Sequence, residues 1–280
     1  MKSFETELTR NDGTDLYVQG WEPENGRAKG LVALVHGLGE HSGRYQHVGE
    51  AFAKAGYTLV GFDLRGHGRS GGVRGHTASL ETLLQDIKQF LTYLVYRYTD
   101  LPHFIYGHSL GGLLTLTYTL KYGAGLQGVV VTGVALRSPL QQQTAKVALV
   151  KTLGSFFPKT VVPSGLDANT ISRDPEVVKV YQQDPFVHDK ISLGLGKATL
   201  DAIRICFQQA DEFKPPLLMI HGASDQLTFP SGSEEFAKRA SKHNSDVTLR
   251  LWENLYHEVH NEPEKQEVLD YIVGWLDRHL

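Results

Sequence analysis

Cysteine is almost absent from this chain: Cys206 is the only one in 280 residues. A single thiol closes no intrachain disulfide and cannot assemble a thiolate metal cluster. An excess of one charge is lacking too. The 28 basic side chains meet 31 acidic ones, for a net charge of −3, which leaves no electrostatic footprint for nucleic acid. Long apolar runs are also missing. The longest, GLVALVH (30–36) and GVVVTGVAL (128–136), end far short of the ~18 residues that span a bilayer. The opening residues, MKSFETELTRNDG, carry no apolar stretch of the secretory kind. Internal repeats and low-complexity tracts are not found. These absences lead to the expectation of a soluble, cytoplasmic protein with no nucleic-acid partner and no cofactor.

What is present is an ordinary globular composition, 41% hydrophobic and 21% charged, close to the usual averages. A chain this long buries roughly three quarters of its unfolded surface, so it needs no covalent staples. Glycine is plentiful at 29 residues, against a usual share of about 7%. Many tight turns are implied.

Short apolar runs alternate with amphipathic ones. Residues 31–36, 57–63, 103–106, 128–134 and 217–221 read as strands buried on both faces, as parallel strands covered by helices must be. Leu80, Leu83, Leu84, Ile87, Phe90, Leu91 and Leu94 recur at helical spacing behind Ser79, a natural N-cap. Residues 110–122 and 264–279 also read as helices. The pattern predicts an α/β fold, a mostly parallel sheet with helices on both faces. Two alternating segments around Asn11-Asp12-Gly13 predict a hairpin, hence an antiparallel N-terminal edge. From 138 to 210 no convincing strand is visible, and this stretch reads as an inserted, mainly helical cap. The core would then comprise residues 1–137 and 211–280.

Gly107-His108-Ser109-Leu110-Gly111-Gly112 carries the sharpest chemical signal, because it lies between a strand and a helix. A serine on so sharp a turn needs a strained backbone, and side chains two residues either side would collide unless both are glycine. A serine hydroxyl needs an adjacent base. In this kind of fold the acid and the histidine follow the nucleophile along the chain. Asp225 sits just past the strand 217–221, and His257 follows the strand 247–252, so these two are the candidates. Asp225 as a mere turn cap and His257 as a surface-loop histidine are the alternatives. Acyl transfer also needs donors aimed at the developing oxyanion. The backbone N–H groups of Leu38, in His36-Gly37-Leu38-Gly39, and of Leu110 are placed to supply them. His257-Glu258-Val259-His260 is not the H-E-x-x-H of a zinc site and lacks a third ligand at a supporting spacing, so no metal is expected.

Taken together, LVHGLGEHSGRY (34–45), GFDLRGHGRSGG (61–72), YGHSLGG (106–112), HGASDQLT (221–228) and LYHEVHNE (255–262) resemble the α/β-hydrolase superfamily. The likeness is to its monoacylglycerol lipase and lysophospholipase branch, and it extends through the cap segment SRDPEVVKVYQQDPFVH (172–188). The resemblance implies an α/β-hydrolase fold with Ser109, Asp225 and His257 as catalytic triad and Leu38 and Leu110 at the oxyanion hole. It implies a glycerol-head pocket of Glu40, Arg44, Tyr181 and His260, a set that can both donate to and accept from diol hydroxyls. Glu40 and Arg44 as a purely structural ion pair is the alternative. Three positions depart from the family's habit: Leu110 in place of Met, Leu38 in place of a smaller residue, and Thr228 in place of the Cys of animal enzymes.

The implied activity is hydrolysis of the single ester of a monoacyl lipid, foremost a monoacylglycerol. Lysophospholipase, broad carboxylesterase and, more distantly, a proline-type peptidase are competing readings. A non-catalytic binding protein on the same fold is a further one, against which all three triad residues argue. In the cap, Leu149, Leu153, Phe156 and Phe157 flanked by Lys146, Lys151 and Lys159 allow two readings. This helix either rests on a lipid surface, making the protein membrane-peripheral, or packs down over the site.

Overall fold

The computed structural model describes residues 1–123 and 125–280. A hairpin of β1 (Lys2–Thr9) and β2 (Asp15–Glu22) leads into β3 (Gly30–Val35), α1 (Gln46–Lys54), β4 (Tyr57–Phe62) and α2 (Leu80–Arg97). Next come β5 (His103–His108), α3 (Leu110–Tyr122) and β6 (Gly128–Thr132). An insert follows, holding α4 (Thr144–Phe156), β7 (Val161–Pro163), α5 (Pro175–Gln183), β8 (Lys190–Ser192) and α6 (Leu193–Gln209). The chain then closes with β9 (Leu217–Gly222), α7 (Pro230–Ala240), β10 (Val247–Trp252) and α8 (Lys265–Asp277).

Eight strands form one sheet in the order β1-β2-β4-β3-β5-β6-β9-β10. The two ladders that involve β2 are antiparallel, and every pair from β4 to β10 is parallel. The antiparallel start follows from the Asn-Asp-Gly turn, since a short hairpin can only reverse the chain. The inner strands are apolar throughout because both faces are covered. Their pleat divides them between two cores. Leu31, Ala33 and Val35 of β3 join Leu84, Ile87, Leu113 and Phe236 on one face. Val32 and Leu34 join Phe52, Val268, Ile272 and Trp275 on the other.

Position β3 is the decisive one. The chain leaves it for β4 on one side and later enters β5 on the other. Loops at the C-terminal ends of β3 and β5 therefore diverge and leave a crevice between them, as open parallel sheets do where strand order reverses.

The insert differs from its sequence reading in two respects. Residues Val161–Pro163 and Lys190–Ser192 pair as a two-stranded antiparallel ribbon, although no strand is expected there. Three-residue strands are too short to display a period. In addition, α6 is one continuous helix that buries Leu195, Ala198, Ala202 and Cys206 and packs on α2 and α3. Helix α4 rests on α6 through Val150 and Gly154. Its other face is open: Leu149, Phe156 and Phe157 are 54%, 74% and 61% exposed, while Leu153 is half-buried. Those three side chains do not pack down onto the core. Among the described residues, no helix is long and apolar enough to cross a membrane.

Ile105 on β5 is fully buried at the centre of the sheet. Ile105→Ala is expected to cost about 2–5 kcal/mol of stability. The measurement is a fall in urea midpoint at unchanged m-value.

Candidate active site

Ser109 lies between the last residue of β5 and the first of α3, with φ 54° and ψ −117°. A positive φ at a residue with a Cβ costs on the order of 1–3 kcal/mol and persists only where the surroundings over-determine it. Here they do. The Ser109 N–H donates to the Thr132 carbonyl at 2.9 Å, and its carbonyl accepts from Leu113 at 3.0 Å and Ala135 at 3.2 Å. The flanking glycines are sterically obligatory. A Cβ on Gly107 would lie 2.6 Å from the Gly111 carbonyl oxygen, and one on Gly111 would overlap the Val35 and His36 carbonyls.

His257 and Asp225 meet this serine. Ser109 Oγ is 2.9 Å from His257 Nε2, and His257 Nδ1 is 2.7 Å from Asp225 Oδ2. Asp225 is itself saturated with donors. Its Oδ1 accepts the backbone N–H groups of Leu227 at 2.8 Å and Thr228 at 2.9 Å. Its Oδ2 also takes the Thr228 hydroxyl at 2.8 Å and lies 3.1 Å from His221 Nε2. Burial alone would raise the Asp225 pKa, but the His257 charge and these hydrogen bonds win and hold it far below the carboxylate range. For His257, burial disfavours the charged ring, yet the charge of Asp225 and its hydrogen bond outweigh this and raise its pKa above the ordinary 6.5. The structure thus brings the three candidates together in the order that lets an imidazole take a hydroxyl proton. His221, fully buried and anchored to Ser233 Oγ at 2.8 Å, is a partner of Asp225 that the motif search passed over. Its i, i+4 spacing to the acid was the available signal.

The neighbouring histidines behave oppositely. His108, whose ring centroid lies 4.7 Å from that of His257, is pushed down to about 3 by burial and by the nearby His257 charge. His36 is likewise pushed down to about 3 by burial. Both are neutral at physiological pH.

Leu110 opens α3, where the first N–H groups have no acceptor within the helix. Leu38 sits in the loop after β3, held from several sides. His36 Nε2 accepts the Leu64 N–H at 2.8 Å, Gly37 N–H donates to Glu40 Oε1 at 2.6 Å, and the Gly39 carbonyl accepts from His188 N–H at 2.9 Å. This loop passes directly by the serine, since a Cβ on Gly37 would stand 3.1 Å from the Ser109 Cβ.

Three of the four glycerol-pocket candidates touch one another. Glu40 and Arg44 form an ion pair at 2.7 Å, and the Tyr181 ring covers the guanidinium at 4.6 Å. The pair has a third member that sequence reasoning missed. Glu258 takes Nη1 and Nη2 of Arg44 at 2.6 and 2.7 Å. Only its place beside His257 hinted at this. His260 stands behind the group, stacked on Tyr45 with centroids 4.8 Å apart, and Tyr45 hydroxyl reaches Glu40 Oε1 at 2.8 Å. Burial keeps His260 neutral, well below the usual histidine range. No group of three or more His, Cys, Asp and Glu side chains among the described residues is placed to hold a metal ion.

Comparison with known proteins follows from this geometry. The family model for serine aminopeptidase, S33, matches residues 26–264. An uncharacterized abhydrolase domain-containing protein of Dictyostelium discoideum is 41% identical over the whole chain, which spans only 30% of that relative's length. A monoacylglycerol lipase of Mycolicibacterium smegmatis is 36% identical across 96% of the chain and 95% of its own length. Among solved structures, the crystal structure of Paleococcus ferrophilus monoacylglycerol lipase is similar over the full length of both chains, with a TM-score of 0.84 and 35% identity.

The raised pKa of His257 has a kinetic consequence. Only the neutral ring can accept a proton, so kcat/KM on a soluble ester should rise with pH through an apparent pKa above 6.5. Asp225→Asn removes the charge that raises it. The acid limb should then move to lower pH while the plateau falls by about 10⁴. A pH–rate profile of both proteins checks both effects.

Proposed function

The chain belongs to the serine aminopeptidase S33 family of hydrolases, and from that premise we propose that it is a serine hydrolase cleaving monoacylglycerols to fatty acid and glycerol. The observation that carries this reading is the unbroken hydrogen-bond path from Ser109 Oγ through the His257 ring to Asp225. The names of the Mycolicibacterium and Paleococcus relatives supply the substrate class.

In this reading Ser109 Oγ attacks the ester carbonyl as its proton passes to His257 Nε2. The negative charge that develops on the carbonyl oxygen is met by the N–H groups of Leu38 and Leu110, where one such donor is worth about 2.7–4 kcal/mol. Asp225 keeps Nδ1 protonated and stabilises the imidazolium without taking its proton. When the tetrahedral intermediate collapses, the ester C–O bond breaks and the glycerol oxygen takes the proton from Nε2. Water then repeats the sequence on the acyl-enzyme and frees the fatty acid. Glu40, Arg44 and Tyr181 line the alcohol side, with His260 behind them. The part of residues 138–210 that precedes α6 acts as a cap over the acyl side.

The same reading places the protein at lipid surfaces. Exposed Leu149, Phe156 and Phe157 with the exposed Lys146, Lys151 and Lys159 around them suit an interfacial helix, apolar on one face and cationic at its rim. A protein that visits membranes through α4 is the consequence.

Ser109→Ala should abolish monooleoylglycerol hydrolysis and fluorophosphonate labelling while circular dichroism stays unchanged. Labelling that persisted would put the nucleophile elsewhere. Phe156→Asp combined with Phe157→Asp should lose co-sedimentation with phosphatidylglycerol vesicles yet still turn over 4-nitrophenyl butyrate. Undiminished co-sedimentation would rule out contact through α4.

A further inference from the structure

Glu258 follows the base in sequence but bonds neither Ser109 nor His257, and it is only 3% exposed. Its position is fixed from three sides. The carboxylate receives both terminal nitrogens of Arg44 at 2.6 and 2.7 Å, Asn261 Nδ2 donates to it at 2.8 Å, and its backbone N–H donates to Ile171 in the insert at 2.8 Å. Arg44 Nη1 is shared with Glu40 Oε2 at 2.7 Å. Among the described residues, Arg44 is the one cation paired with either carboxylate.

Two consequences follow from that arrangement. The first is geometric. A guanidinium recognises a phosphate or carboxylate bidentately with a pair of its N–H groups, and in this protein Glu258 occupies the pair on Nη1 and Nη2 while Glu40 takes a further hydrogen of Nη1. The second concerns charge. Two acids share a single guanidinium, so the cluster offers no net positive charge to a ligand. Hydroxyl groups can still donate to the carboxylate oxygens, whereas a phosphate monoester carries a charge of about −1.5 to −2 at neutral pH and is repelled by them.

Glu40 places this cluster beside the reacting serine. A Cβ on Gly37 would be 2.9 Å from Glu40 Oε1 and 3.1 Å from the Ser109 Cβ. On the monoacylglycerol reading of the pocket, what this cluster accepts or rejects is the alcohol portion of the ester.

We propose that Glu258 is a specificity-determining residue: by holding the anion-binding edge of Arg44 it reserves the alcohol side of the site for uncharged polyol esters and turns away those bearing a phosphate on the glycerol. The inference rests on the monoacylglycerol reading of the pocket and adds to it the residue that separates neutral from anionic head groups.

The experiment compares two substrates that differ only by the phosphate, monooleoylglycerol and 1-oleoylglycerol 3-phosphate, in neutral detergent micelles. Glu258→Gln keeps the shape of the side chain and removes its charge, which frees the Arg44 fork. The ratio of kcat/KM for the phosphorylated over the neutral substrate should rise at least tenfold, and adding Arg44→Met should cancel the rise. An unchanged ratio, with both rates held or both lowered alike, would mean that Glu258 only braces the loops, and the proposal falls. Fluorophosphonate labelling of Ser109 and the melting temperature report whether the variant folds. Should it not fold, wild-type protein decides: glycerol 3-phosphate must inhibit it no better than glycerol, and tighter inhibition by the phosphate overturns the idea. A wild-type enzyme active on 4-nitrophenyl butyrate but inert toward monooleoylglycerol would instead defeat the substrate reading itself.

Discussion

Ser109 has a backbone conformation that a serine does not choose. Its φ of 54° is held because β5 must end, α3 must begin, and the loop after β3 must pass within contact distance, all in the same few ångströms. Removing the side chains of Gly107 and Gly111 from consideration is what makes the three meet. The energy for this strain comes from the sheet: β5 lies between β3 and β6, with apolar residues of both cores packed against it. A serine so presented points its hydroxyl away from the helix it precedes and toward the crevice where strand order reverses. The approach of His257, the position of the Leu110 N–H and the path of the Leu38 loop are all defined relative to that one residue.

Electrostatics then separates one histidine from the others. Burial, helped by neighbouring charges, drives His36, His108 and His260 to the neutral form. His257 is equally buried, and the difference is Asp225. That carboxylate remains ionised in the interior because five donors surround it, two from the backbone of its own turn and three from the side chains of Thr228, His221 and His257. A buried charge satisfied to this degree has little need of a proton of its own. It can therefore stabilise an imidazolium without neutralising it.

A second buried charge system ties three distant segments together. Arg44 belongs to the segment after β3, Glu258 to the loop that carries the base, and Tyr181 to α5 of the insert. Their contacts, with the bonds from Glu258 N–H to Ile171 and from His188 N–H to Gly39, couple the loop after β3, the loop that carries His257 and the insert. Each element thereby constrains the position of the other two. Removing one partner of such a cluster leaves an uncompensated charge in the interior, which is why it resists small displacements.

The inner strands were legible in the sequence because a parallel strand covered on both faces is apolar at nearly every position, whereas residues 247–252, half-exposed at the sheet edge with Thr248 and Arg250, do not follow that rule. The hairpin was legible from Asn11-Asp12-Gly13. The three-residue ribbon of the insert was not, since nothing so short shows a period, and neither was the return of α6 to the core. The elbow could be read from spacing, because the steric demand for glycine on either side of Ser109 acts within five residues. Partner choice could not. Ser109 and His257 are 148 residues apart in the chain, and Arg44 and Glu258 are 214 apart. By itself, then, the sequence determined what is local: which segments are strands and helices, where the chain turns, and which serine is presented on a strained turn. Only the tertiary structure decided that Arg44 gives its fork to Glu258 and that Phe156 and Phe157 face outward. Those outcomes depend on the packing of segments far apart in the chain, and no periodicity along it encodes which distant side chain arrives first.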